Sequence, residues 1–182
     1  MNKLKIFLIF FVLNLFFTIN SNAQQRNFSY FKLCVTNSQN EILLVKYKGI
    51  WELAGKKYVD TLSIKQFTAG MAGEMGVNIK DTQLRGLFTF YYNDAKYPII
   101  FNYYSAQYHS GDLVVPPGCS DIAWFSLQEA LEIIPFKTMT MSLQKMFEKP
   151  SVVWGGSFHI EKSKPMKIDK VKMLEDFYPL SR

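Results

Sequence analysis

Two histidines and two cysteines make up the soft-donor chemistry of these 182 residues. His109 and His159 each stand alone in the chain, so a zinc site or a Ser-His-Asp arrangement has little to build on, and both read as surface or strand residues. Cys34 and Cys119 show neither metal-binding nor thioredoxin-like spacing. In an oxidising compartment they could close a disulfide, the competing reading being two free thiols packed in strands. Anion chemistry has more to draw on. Lys56-Lys57 follows Gly55 and could hold a phosphate, while Lys162, Lys164, Lys167, Lys170 and Lys172 are interleaved with Glu161 and Asp169. That interleaving reads as a solvated lysine-rich face, not as the basic stripe of a nucleic-acid binder. Phe88, Phe90 and Tyr92 share one face of a strand; they could stack a base, and the more economical reading is a sheet core.

The elements that must position these groups follow from hydrophobic period and turn chemistry. Residues 28–36 and 41–47 read as strands separated by the polar turn 37–40. A short apolar piece at 50–53 leads into Gly55-Lys56-Lys57, which reads as a loop before Tyr58. From Ser63 the period becomes helical: Ile64, Phe67, Met71 and Met75 predict a helix over 64–75, with Ser63 as N-cap and Gly76 as its stop. Residues 83–92 and 97–108 form an antiparallel aromatic pair around the turn 93–96, and 122–125 is a short strand. Ser126 caps a helix that Pro135 ends, and a second helix covers 140–148. Beyond Pro150, residues 152–160 read as a strand broken by Gly155-Gly156, and 168–177 as an amphipathic C-terminal helix. The mixture of strands and helices gives one α+β domain.

The N-terminus reads as an address. Lys3 and Lys5 precede an apolar run that starts at Ile6 and ends at Phe17, and Ser21 and Ala23 occupy the −3 and −1 positions of a cleavage site before Gln24. The run is shorter than the ~20 apolar residues of a membrane span, so residues 1–23 are expected to be a signal peptide and the mature chain to be exported, periplasmic or secreted, with no membrane attachment. Losing Lys3 and Lys5 takes the formal charge from +6 to +4, a mild balance that also argues against nucleic acid.

Three segments carry a resemblance to the Nudix hydrolases over roughly residues 28–135. Leu43-Leu44-Val45-Lys46-Tyr47, followed by Trp51-Glu52-Leu53-Ala54-Gly55, is similar to the family's strand leading into W-E-L-P-G-G. Gly73-Glu74-Met75-Gly76-Val77 resembles the end of the signature G-x5-E-x7-R-E-U-x-E-E-x-G-U, where U is aliphatic. Residues 121–131 resemble the closing strand and helix. The resemblance implies a mixed sheet sandwiched between helices (α/β/α). It divides the chain into the signal peptide, a Nudix-like domain over 24–148, and a C-terminal extension of strand plus helix over 149–182.

Laid on the chain from Gly55, the signature meets Thr61, Ala69, Gly70 and Gly73 where Glu, Arg, Glu and Glu are expected; Glu74, Gly76 and Val77 match. Counted from Trp51 the loop is one residue short, which sets Asp60 beside the place of Thr61. Carboxylates at 70, 73 and 74 would share a helix face and converge on magnesium or manganese, whose charge and bound water drive diphosphate hydrolysis. One carboxylate cannot do this well. Gly70 and Gly73 also cost helix stability and leave a smooth strip with Ala69, which invites packing by the 154–156 segment or by an external ligand.

The resulting expectation is an exported Nudix-fold protein that binds a nucleotide-like or phosphorylated ligand, or a protein partner, with Glu52, Gly55, Lys57, Gly70 and Gly73 as ligand-binding candidates and Glu74 as residual metal ligand. One alternative is a hydrolase of nucleoside diphosphate derivatives using magnesium or manganese at an altered site, with Asp60, Asp112 or Asp121 as replacement ligands. Another is a structural component of an envelope or secreted assembly, whose contact surface would be the segment from Val152 onward.

Overall fold

The computed structural model describes residues 29–58, 61–164, 168 and 170–181. The predicted signal peptide and Asp60 lie outside the described residues. The elements follow the order β1 (Ser29–Thr36), β2 (Ile42–Tyr47), β3 (Ile50–Glu52), β4 (Ala54–Tyr58), α1 (Ile64–Glu74), β5 (Val77–Tyr92), β6 (Ile99–Gly111), β7 (Cys119–Phe125), α2 (Leu127–Ile133), α3 (Lys137–Glu148), β8 (Trp154–Glu161) and β9 (Lys170–Pro179). Among the described residues no helix is long and apolar enough to cross a membrane.

The strands run β3-β2-β1-β6-β5-β8-β9, with β4 added to β1 and β7 to β2. β1 lies parallel to β6 and β5 parallel to β8, and the other pairings are antiparallel, so the sheet is mixed. Strand alternation divides its side chains between two cores. Phe31, Leu33 and Val35 of β1 pack with Phe67, Met71 and Ala72 of α1. Cys34 belongs to the opposite core, with Ala130 of α2 and Met139, Leu143 and Met146 of α3. The sheet is therefore sandwiched between helices, as expected.

Local chemistry sets the helix starts. Ser63 accepts from the Gln66 backbone N–H while the Gln66 side chain returns to Ser63, and Ser126 with Glu129 repeats the device at α2. Gly76, at φ +77°, follows the C-cap of α1 and supplies the left-handed turn that ends it.

Three expectations change. Gly55-Lys56-Lys57 is not a loop: it forms the middle of β4, paired residue by residue with β1, Lys32 opposite Gly55 and Phe31 opposite Lys56. The stretch 152–160 is not broken at Gly155-Gly156, because the absence of side chains there admits rings from neighbouring strands, Tyr178 of β9 and Phe88 of β5. The C-terminal helix is instead the strand β9, antiparallel to β8. Val171, Leu174 and Phe177 have helical spacing, yet in the strand Val171, Met173 and Phe177 share one face and reach the core while Leu174, on the other face, stays 47% exposed. An exposed leucine between two inward positions thus produced the false helical period. The segment from Val152 onward joins the sheet, with Trp154, Phe158 and Ile160 in the core beside α3 and β9 as the outer strand.

Candidate functional site

The site lies where β1 and β2 part. They pair only at Thr36 and Ile42, after which β1 continues with β4 and β2 with β3 and β7. A cavity of about 660 Å³ fills the resulting cleft. One end is closed by Met71, Glu74 and Met75 from the α1 side and the other by Phe136, Thr138 and Met139 at the start of α3.

Lys32 is the charge in its wall that matters most for the fold. It sits in an otherwise apolar part of β1, where an isolated ammonium would be costly. Its Nζ donates to Glu52 Oε2 at 2.6 Å and to the Leu53 carbonyl at 3.1 Å, with the two side chains only 7% and 14% exposed. The path between them crosses Gly55. A Cβ there would stand 2.5 Å from Lys32 Nζ and 2.8 Å from its Cε. A methyl at 55 would thus have to displace the end of Lys32 from where it meets Glu52.

Aromatic rings line the sheet side of the cavity. Tyr30 stacks on Phe101 at 5.3 Å, Phe101 lies 4.3 Å from Phe90, and Phe90 stacks on Tyr92 at 6.3 Å. Lys162 closes the row, its Nζ 4.4 Å from the Tyr92 ring centre. Burial lowers the Lys162 pKa, opposed by the Glu52 carboxylate. Burial raises the phenols of Tyr30, Tyr92 and Tyr103, so these hydroxyls stay protonated at ordinary pH. At the α1 end Lys56 forms an ion pair with Glu74, both side chains near half exposed.

The expected residues divide. Glu52, Gly55 and Glu74 line the cavity; Lys57, Gly70 and Gly73 do not, and neither do Asp112 and Asp121. Gly70 and Gly73 are exposed on α1, and a Cβ added at either would meet nothing within 4 Å. Neither the 154–156 segment nor any other described part of the chain packs on them. Cys34 and Cys119 are free thiols facing opposite cores, so a disulfide between them does not form. Burial pushes the Cys34 thiol up to about 12. Phe88 and Phe90 are core residues as expected, Phe90 also reaching the cavity with Tyr92.

Sequence reasoning missed Tyr30, Lys32, Phe101 and Lys162. One signal was present, a lysine between Phe31 and Leu33 in a strand that is otherwise buried. Lys162 was hidden in the lysine-rich run, whose members Lys170 and Lys172 are indeed exposed.

No family model and no curated protein sequence matches the chain. Solved structures do. A MutT protein from Bacillus halodurans superposes with a TM-score of 0.67 at 17% identity, covering 81% of this chain and 97% of its own. A NUDIX hydrolase from Nitrosomonas europaea gives 0.60 at 16% identity, covering 76% and 81%. The NUDIX domain of Shewanella oneidensis NrtR, crystallised with ADP ribose, gives 0.59 at 16%, covering 71% and 92%.

The chain has a Nudix fold.

A Nudix fold raises the question of a divalent cation on α1, and the described residues do not fit one. Gly70 and Gly73 offer no donor, and the matching carboxylate, Glu74, is engaged by the Lys56 ammonium. Among the described residues no group of three His, Cys, Asp or Glu side chains is disposed to hold a metal ion. Magnesium needs a nearly octahedral oxygen shell, and this Nudix helix supplies one committed carboxylate toward it.

Proposed function

We propose that this exported Nudix-fold chain works by binding, holding a small nucleotide-like anion in the cleft without hydrolysing it. The observation that carries the reading is the row Tyr30, Phe101, Phe90 and Tyr92 with Lys162 against Tyr92, in a cavity that Lys56 also lines. Aromatic faces accept a flat base at about 1–3 kcal/mol per stacked ring, and ammonium groups accept phosphate oxygens as charge-assisted donors. A cavity of about 660 Å³ is of the size that takes a ligand such as a mononucleotide. A related fold holding ADP ribose in the Shewanella oneidensis NrtR domain supports the choice of ligand class. The leader read at 1–23 supports export, away from the cytoplasmic nucleotide pools on which Nudix hydrolases act. The helix face at Gly70, Gly73 and Glu74 supports binding over turnover, because nothing there can assemble the cation cluster that activates water.

The test is a thermal-shift and calorimetric screen of the purified protein with AMP, ADP ribose and nucleotide sugars, run beside a phosphate-release assay with magnesium or manganese. A ligand at 100 times its Kd should add about 2.7 kcal/mol of stability. Saturable binding without phosphate release is the expected result, weakened roughly 5- to 100-fold in Tyr92→Leu through lost stacking. Turnover that Glu74→Gln abolishes would replace this reading with the hydrolase, and no binding across the screen would leave a protein partner as the ligand.

A further inference from the structure

An ammonium stands on α1 where the fold's resemblance to the hydrolases would put a divalent ion. The strand that carries it is held to the helix by packing. Phe31, paired with Lys56 across β1 and β4, meets Phe67 of α1 edge-on at 5.2 Å and Tyr58 at 5.0 Å, and Tyr58 meets Phe67 at 4.9 Å. These three rings clamp β4 to α1. Lys56, directly opposite Phe31, then reaches the last turn of the helix, where Glu74 receives it. Both residues line the cavity.

We propose that Lys56 is a permanent cation in place of the metal: it neutralises Glu74, keeps divalent ions off it, and offers its remaining N–H donors to the anionic group of the ligand, so that anion capture in this cleft needs no metal. The anion-capture part rests on the binding function proposed above; the replacement of the metal does not. An ammonium carries three donors, of which Glu74 takes one. A divalent ion at Glu74 would meet both the repulsion of that charge and the lack of further oxygens at positions 70 and 73. The ligand class follows: a phosphomonoester or diphosphate whose charge is met by lysine, joined to a ring that reaches the aromatic row.

Two arms test it, and they fail separately. In the first, manganese alone is titrated into wild type, Lys56→Met and the Lys56→Met/Glu74→Gln double variant, read by calorimetry and by water-proton relaxation. Wild type should show no saturation below the millimolar range, Lys56→Met should bind roughly five- to tenfold better once one exposed like charge is gone, and the double variant should lose that gain. In the second arm, AMP and ADP ribose are titrated with a chelator and again with magnesium. Affinity should be the same in both, should fall about tenfold in Lys56→Met with the loss of a charge-assisted bond, and should hold in Lys57→Met. Micromolar manganese binding by wild type, a Lys56→Met variant that gains nothing, or nucleotide binding that requires magnesium would each overturn the proposal. If neither nucleotide binds, the binding function falls, and the manganese arm still decides whether Lys56 has replaced the metal.

Discussion

Two lysine–glutamate pairs lie on either side of Gly55, and they differ in almost everything except composition. Lys32–Glu52 is buried at 7% and 14% exposure and anchored by a further bond to the Leu53 carbonyl. Lys56–Glu74 is near half exposed and joins a strand to a helix end. Burial makes the first pair conditional: each charge is tolerable only because the other is there, and removing one partner strands the second in a poor dielectric. Exposure makes the second pair negotiable, since water can replace either partner. The cleft thus holds one pair that the fold depends on and one that it can lose, and the second is free to do chemistry.

The sharpest way to break that contrast is at Lys32. Lys32→Met should cost about 3–5 kcal/mol by leaving Glu52 buried and unpaired, read by urea unfolding followed through tryptophan fluorescence. The Lys32→Met/Glu52→Leu double variant should recover most of it, because two apolar groups of similar size carry no stranded charge. A Lys32→Met cost under about 1 kcal/mol would mean that the pair is solvated and that the two pairs are alike after all.

Gly55 sharpens the same point at smaller cost. A methyl at 55 falls 2.5 Å from Lys32 Nζ and 2.9 Å from its Cδ, so Gly55→Ala must push the lysine off Glu52, at about 1–3 kcal/mol. In the Lys32→Met background that cost should shrink, since a methionine tip is not held by Glu52 and can turn away from the added methyl. Equal costs in the two backgrounds would show that position 55 matters for another reason.

Which of these features could be seen in the sequence depends on how local their causes are. The caps of α1 and α2 were legible because Ser63 with Gln66, and Ser126 with Glu129, act within one turn. The sandwich was legible through the residues around Trp51 to Gly55 and Gly73 to Val77 and through alternation in β1. The strand character of Gly55-Lys56-Lys57 was not, because β4 exists by pairing with β1, more than twenty residues earlier. β9 was misread because the exposed Leu174 stands three residues from each of the inward Val171 and Phe177, which mimics a helical period, while the strand itself exists by pairing with β8. In the site, Glu52, Gly55 and Glu74 were found through their place in a motif. Tyr30, Phe101 and Lys162 come from β1, β6 and the segment after β8, and only the sheet order brings them to one wall.

On the helix that carries Glu74, the glycines give the next effect in size, with the opposite sign. Gly70 and Gly73 lie in open space, so Gly70→Ala and Gly73→Ala should each stabilise by up to about 1 kcal/mol, the ordinary helix-propensity difference. The measurement is the thermal midpoint of each single variant and of the double, which should add because neither methyl touches the rest of the chain. Nucleotide affinity should not change, as neither position lines the cavity. A destabilised alanine variant would mean that this face is covered in the native protein.

The smallest stability change belongs to the pair with the largest proposed role. Lys56→Met should alter unfolding free energy by no more than about 1 kcal/mol, and less at high salt, because both partners are near half exposed and water takes over for either. That near-neutrality makes the binding arms at Lys56 readable, since a variant that folds as well as wild type cannot lose ligand affinity through unfolding. If Lys56→Met instead cost as much as Lys32→Met, the two pairs would be equivalent structural clamps, and a loss of ligand affinity in Lys56→Met could no longer be told from a loss of structure.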